Sequence, residues 1–135
     1  MLQIIDGKVP GCPKLHIGFV DVRDVASAHI LAMQNPQADG QRFIISESEF
    51  WFKQFSGVLK EAGYEKAPTR EMPNWLVKFF GIFDPATRQM SQMVGTEKFT
   101  PSDKAKNLLG WQPRKAEESI RDTAAQIVEK GMVTL

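Results

Sequence analysis

Few side chains in this sequence could do chemistry. Among 135 residues there is one cysteine, Cys12, two histidines, His16 and His29, and one tyrosine, Tyr64. That set cannot furnish a tetrahedral zinc site of nitrogen and sulfur ligands, and a single cysteine forms no internal disulfide. The glycines, at 7, 11, 18, 40, 57, 63, 81, 95, 110 and 131, settle two further questions. No three of them crowd into one short window, so there is no glycine-rich turn through which backbone could approach a dinucleotide pyrophosphate at a helix start. Their spacing also lacks the pair that frames a phosphate-binding P-loop, and no Gly-x-Ser-x-Gly nucleophile elbow occurs.

What remains is softer. Asp21 and Asp24 flank Arg23 where a strand is expected to meet a helix. They read either as a helix cap with an ion pair or as the polar edge of a pocket. His29 shares an apolar stripe with Val25 and Ala32, which suits a buried, hydrogen-bonded structural histidine better than a catalytic one. His16 falls in an expected loop, and nothing nearby points to catalysis. Met90, Met93 and Phe83 could line a ligand pocket, because methionine adapts to irregular shapes, or could fill a core.

The elements that must position these groups follow from periodicity and punctuation. Residues 1–18, with Gly7, Pro10, Gly11, Pro13 and Gly18, read as a loop or tail. Phe19 to Val22 reads as a strand, and Asp24 to about Gln34 as a helix that ends at Asn35-Pro36. Arg42 to Ile45 is expected as a second strand. Ser46 or Ser48 should cap a helix over about 49–62, closed by Gly63. Pro68 to Met72 should be extended. Asn74 to Phe83 reads as a very apolar helix, followed by another from Asp84-Pro85 to about Val94. Glu97 to Phe99 is expected as a third strand. Thr100-Pro101-Ser102-Asp103 reads as a helix start, with Thr100 as cap, and Gly110 as its stop. The last helix covers about 116–130, with Ile120, Ala124, Ile127 and Val128 as its stripe.

The chain is therefore expected as one α/β domain over 1–135, helix-rich with a few short strands. Its length and 42% hydrophobic content allow one real core. A net charge of +1, with acids interspersed among the bases, argues against nucleic acid as a partner. No apolar run approaches the roughly 18 residues needed to span a membrane, so none is expected as a partner. The opening residues lack the charged and apolar regions of a signal peptide, and together with the lone cysteine they lead us to expect a reducing, cytoplasmic setting.

Four stretches carry a likeness to a known family. Phe19-Val20-Asp21-Val22-Arg23-Asp24-Val25-Ala26-Ser27-Ala28-His29 resembles the extended short-chain dehydrogenase/reductases, in particular the dihydroflavonol-reductase-like and aldehyde-reductase-like members of the NAD-dependent epimerase/dehydratase superfamily. The stretches Gly40 to Ser46, Pro68 to Leu76 and Ser102 to Arg114, the last with its Leu-Gly-Trp-x-Pro ending, resemble later parts of that family in the same order. The resemblance implies a Rossmann-type reductase whose sheet carries NADP or NAD and whose smaller C-terminal part closes over substrate. This chain matches only that C-terminal part, with the cofactor-binding domain absent. The family's Tyr-x-x-x-Lys pair has no counterpart, since Tyr64 is followed at the required spacing by Pro68. That lysine lowers the tyrosine's pKa and holds the nicotinamide ribose. No catalytic or cofactor-binding residue carries over, and no cofactor is expected for this chain alone. The residues implied to face substrate are His16, Ile17, Met72, Trp75, Phe83 and Met90.

Three functional expectations follow. The first is the substrate-binding portion of an NAD(P)-dependent reductase for a small carbonyl or alcohol, not competent alone. The second is a non-catalytic, oligomerising interaction module. The third is a free-standing carrier that uses the apolar 72–94 region. The expected partners are a second copy of the chain or a separately encoded N-terminal half.

Overall fold

The structure is a computed structural model, and it describes every residue except Phe83, Asp84, Thr134 and Leu135. Its elements in chain order are α1 (Leu2–Ile5), β1 (His16–Phe19), α2 (Val22–Gln34), a 3-10 turn (Pro36–Ala38), β2 (Ser48–Trp51), α3 (Phe52–Glu61), α4 (Asn74–Phe80), α5 (Pro85–Ser91), α6 (Asp103–Leu109) and α7 (Ala116–Glu129). This is the expected helix-rich α/β chain with a small strand content. The strands β1 and β2 form a two-stranded sheet. The Phe52 N–H donates to the Leu15 carbonyl and the Glu47 N–H to the Phe19 carbonyl, so the strands run antiparallel.

The chain divides into two compact units. Unit 1 comprises Met1–Ile17, Phe50–Glu97 and Ile120–Leu135; unit 2 comprises Gly18–Glu49 and Lys98–Ser119.

In unit 2, α2 packs on α6, and Ala28, Ala105, Leu109 and Trp111 form the buried centre. Val20, Leu31, Phe43 and Ile45 pack against it. Local chemistry sets the limits of these helices. Asp21 is extended (φ −75°, ψ 138°), and its carboxylate accepts the Arg23 N–H, which caps α2. The cap is Asp21 and not Asp24, because the helix begins at Val22, two residues earlier than expected. Asn35 stops α2, and its amide donates to the Leu108 carbonyl at 2.8 Å, tying the end of α2 to α6. At the end of α6, Gly110 sits at φ 65°, a left-handed conformation that a Cβ would strain, so this stop stands as expected.

The start of α6 differs from expectation. Ser102 occupies the cap position without a side-chain bond to the helix, and Pro101 precedes the first turn. Thr100 instead bonds sideways. Its N–H and hydroxyl donate to one Glu49 oxygen at 2.8 and 2.6 Å, and its hydroxyl lies 3.0 Å from Ser46 Oγ. Neither Arg42 to Ile45 nor Glu97 to Phe99 is a strand. Phe43 and Ile45 still alternate onto the core as a strand's residues would, but no neighbouring strand stands beside them among the described residues. A strand needs a ladder as well as a pattern. The expected strand at Phe19 to Val22 is likewise earlier in the chain, at β1, because Asp21 and Val22 are taken by the helix start.

In unit 1 the N-terminal residues 1–17 are not a free tail. Leu2–Ile5 is helical, Ile4 and Ile5 are buried, and so are Cys12 and Leu15. Cys12 forms a parallel bridge with Glu71. The Cys12 N–H donates to the Arg70 carbonyl and the Met72 N–H to the Cys12 carbonyl, both at 2.8 Å, so of the stretch expected to be extended, 68–72, the part around Glu71 pairs with residue 12, while Arg70 is a bend. Helix α3 begins at Phe52 and not at 49, since Ser48–Trp51 is taken by β2. Neither Ser46 nor Ser48 caps it. The Gln54 side chain accepts the Trp51 N–H at 2.8 Å and so answers a donor at the helix start. Helices α4 and α5 pack on each other. Their junction at Phe83 and Asp84 lies outside the described residues, and α5 ends at Ser91, short of Val94.

Candidate functional site

Unit 1 holds a pocket of about 740 Å³. Its wall comes from three places: the N-terminal stretch (Met1 to Ile4 and Lys8 to Gly11, with Pro13), the start of α3 with Met72 (Phe52, Met72), and the helices α4, α5 and α7 (Val77, Thr87, Met90 and Ile127). Most of this lining is aliphatic, aromatic or thioether. The polar exceptions are Gln3, Lys8 and Thr87. Pockets of this size and character hold small organic molecules.

The backbone fixes the wall around Met72. The bridge between Cys12 and Glu71 holds 10–13 alongside 70–72. Gly11 is required there, because a Cβ on it would stand 2.7 Å from Met72 Cγ and 3.1 Å from the Arg70 carbonyl. Behind this wall, the Cys12 thiol donates to the Pro68 carbonyl at 3.0 Å, and the Ser56 hydroxyl donates to the same oxygen. Burial pushes the Cys12 thiol above its ordinary pKa, so it is a poor nucleophile. Lys8 sits at the rim, 2.9 Å from an Asp6 carboxylate oxygen.

The six residues expected to face substrate are only partly brought together. Met72 and Met90 line the pocket. Trp75 does not, being 68% exposed on α4. His16 lies on β1 with its ring centroid 4.7 Å from that of Trp51, and Ile17 is exposed on the same strand. Phe83 lies outside the described residues. Sequence reading missed the whole N-terminal contribution. The signal available was the apolar pair Ile4-Ile5 ahead of a Pro/Gly stretch that also holds Val9, a composition that packs as well as turns.

Unit 2 holds a second, smaller hollow of about 310 Å³ between α2, the 41–45 stretch and Leu109. His29 lines it, and His29 is exposed, not buried as expected; its Nδ1 lies 2.8 Å from the Val25 carbonyl. A residue on the stripe of an amphipathic helix faces outward once the buried side is filled by Ala28. The Asp21, Arg23 and Asp24 group proves to be cap and ion pair. Asp21 takes Arg23 Nε at 2.9 Å and Nη2 at 2.8 Å, and the Arg23 contact holds its carboxyl well below the usual range. Asp24 takes the Arg114 Nε and N–H at 3.0 to 3.1 Å, while its carbonyl accepts the buried Trp111 Nε1 at 2.9 Å. These bonds organise a scaffold. Among the described residues no group of three or more His, Cys, Asp or Glu could hold a metal ion, and no helix is long and apolar enough to cross a membrane.

Comparison with known proteins places this arrangement. No family model matches the chain. It is 33% identical over 117 residues to the NADPH-dependent methylglyoxal reductase GRE2 of Saccharomyces cerevisiae, an alignment covering 87% of this chain and 31% of that protein. The likeness extends to a plant protein, tetraketide alpha-pyrone reductase 2 of Arabidopsis thaliana, at 37% identity over 51 residues, 38% of this chain and 16% of that one. Among solved structures, Gre2 of Candida albicans in complex with NADPH matches with a TM-score of 0.58 and 26% identity over 94% of this chain and 36% of that one. These relatives are reductases of the short-chain dehydrogenase/reductase family, and the chain resembles a part of them. The crystal structure of gox2253 matches in fold, with a TM-score of 0.76 at 24% identity, over 98% of this chain and 43% of that one. The chain spans about a third of the length of the curated relatives it matches. The pocket, the unpaired 42–45 stretch and the missing Tyr-x-x-x-Lys pair are thus features of a part of the reductase fold.

Proposed function

We propose that the chain is the C-terminal, substrate-binding portion of an NAD(P)-dependent reductase of small carbonyl or alcohol compounds, and that it turns nothing over alone. One observation carries this reading. The likeness to a reductase named as NADPH-dependent runs through 87% of this chain yet only 31% of that relative, while the chain's single tyrosine has Pro68 where the family's lysine would stand. The nicotinamide chemistry belongs to residues supplied from elsewhere, and this chain contributes a preformed apolar wall.

The reading needs a cofactor-binding part, on the same polypeptide or on another. The 42–45 stretch, with Phe43 and Ile45 already facing the core, is shaped to receive a strand neighbour. The test is a chimera in which this chain replaces the matching third of the Saccharomyces relative. The chimera should oxidise NADPH with a carbonyl substrate, and the isolated chain should neither bind NADPH saturably, followed by its fluorescence, nor oxidise it. A folded but inactive chimera, or micromolar NADPH binding by the chain alone, overturns the reading.

A second reading, a self-associating module, is favoured by the exposed apolar side chains of α2, where Val22, Ile30 and Met33 face outward and Met33 is 87% exposed. A dimer seen by light scattering at micromolar concentration supports it. A monomer removes it.

A further inference from the structure

The hollow of about 310 Å³ in unit 2 has a floor and a rim of different chemistry. We infer that it binds a compact organic carboxylate with an aryl or branched alkyl body, and that Arg42 holds the carboxylate. The inference does not depend on the reductase reading, because every lining residue belongs to unit 2 and none to the pocket of unit 1.

The floor is apolar, made by Ala28, Ala32, Phe43, Ile45 and Leu109. The two alanines of α2 leave room that a larger side chain would fill. The rim offers hydrogen-bond donors and no acid. Arg42 is exposed, and no carboxylate among the described residues pairs with it. Gln41 accepts Lys104 Nζ on its Oε1 at 2.8 Å, which leaves its amide NH2 to donate. Lys104 also donates to the Arg42 carbonyl at 3.2 Å and lies 5.0 Å from the Phe43 ring centroid. A second positive charge is thereby fixed beside the rim. The His29 Nδ1 lies 2.8 Å from the Val25 carbonyl, and a carbonyl only accepts, so this nitrogen carries the proton and the ring is held in place. A cationic ligand would meet Arg42 and Lys104 together, and a neutral one would gain little from either. A carboxylate can take the planar guanidinium through two parallel hydrogen bonds while its body covers the floor. The volume stands at the low end for ligand sites and suits a ring on a short chain.

The experiment titrates 4-phenylbutyrate into the intact, isotope-labelled chain and follows its backbone amide shifts by NMR. The acid should bind saturably with a Kd of about 1 mM or tighter, a modest affinity because Arg42 is open to water. The shifted amides should lie at 28–32, 41–45 and 109. 4-Phenylbutan-1-ol should bind about fivefold more weakly, and acetate, which has no apolar body, should not saturate. Arg42→Gln removes the charge from an exposed residue and should bring the acid down to the level of the alcohol. Ala32→Leu fills the floor and should weaken acid and alcohol alike, with the fold checked by circular dichroism. Lys78→Gln, at an exposed lysine of unit 1, should change nothing and so separates this site from general attraction of anions. Shifts scattered over both units, an alcohol that binds as well as the acid, or binding indifferent to Arg42→Gln overturns the inference. None of these results bears on the chimera, whose activity tests the reductase reading by itself.

Discussion

The two units differ in how their hydrogen bonds are spent. In unit 2, polar groups tie elements to each other. Asp24 gathers Trp111 and Arg114, Asn35 holds the end of α6, and Glu49 and Ser46 hold Thr100. In unit 1, bonds such as the Cys12 and Glu71 bridge stiffen one wall, and the rest of the concavity is lined mostly by apolar side chains. A directional bond fixes its partners to within a few tenths of an ångström, whereas apolar contacts tolerate rearrangement at small cost. Unit 2 is therefore built as a scaffold, and unit 1 as a surface that can fit itself to a ligand.

The largest expected effect that could break this contrast is at Trp111. It is almost fully buried, and it is the largest such side chain among the described residues. Trp111→Ala should cost about 3–5 kcal/mol, because it opens a cavity and strands the Asp24 carbonyl. Met90→Leu in unit 1 should cost under about 1.5 kcal/mol, being nearly isosteric at a partly exposed site. Urea unfolding measures both, and equal losses would erase the contrast.

The next effect sharpens it through pH. The Asp21 carboxyl is held below its ordinary value, first by the hydrogen bond from Arg23. A depressed folded-state pKa contributes stability that is fully present above the unfolded value, about 4, and is lost as pH falls below it. Unfolding midpoints should therefore hold from neutral pH down to about 5 and then drop. Asp21→Asn keeps a good cap but removes the charge, so its profile should be flatter on the acid side. An unchanged acid limb in the variant would show that Arg23 and Asp21 do not interact in solution.

The smallest effect separates a cap from a tie. Thr100→Ala should cost about 1 kcal/mol, through lost bonds to Glu49 and Ser46, and Thr100→Ser should recover most of it. Ser102→Ala, at the cap position of α6, should cost only a few tenths of a kcal/mol, because its side chain makes no capping bond. If thermal unfolding ranks the two alanine variants the other way, Ser102 is the functional cap.

What could be read from the sequence alone was whatever depends on neighbours a few residues away. Asn35-Pro36 ends α2, Gly110 ends α6 with its positive φ, and α7 spans Ala116–Glu129, close to the 116–130 expected. Absences were equally legible, since no fold can supply a glycine loop or a lysine at position 68 that the chain does not contain. The tertiary structure decided everything that needs a distant partner. Arg42 to Ile45 has a strand's pattern, yet a strand exists only when another lies beside it. Thr100 has a cap's identity, but Glu49, far away in sequence, offers it a charged acceptor. His29 sits on a plausible stripe, and only the packing of Ala28 shows which side of that stripe is inward. Met72 and Met90 were anticipated beside a ligand, but Leu2, Val9 and Ile127 join them only because the folded chain brings its beginning and its last helix to the same place. Local signals act through bonds within one turn, while burial and pairing are properties of where the rest of the chain has gone.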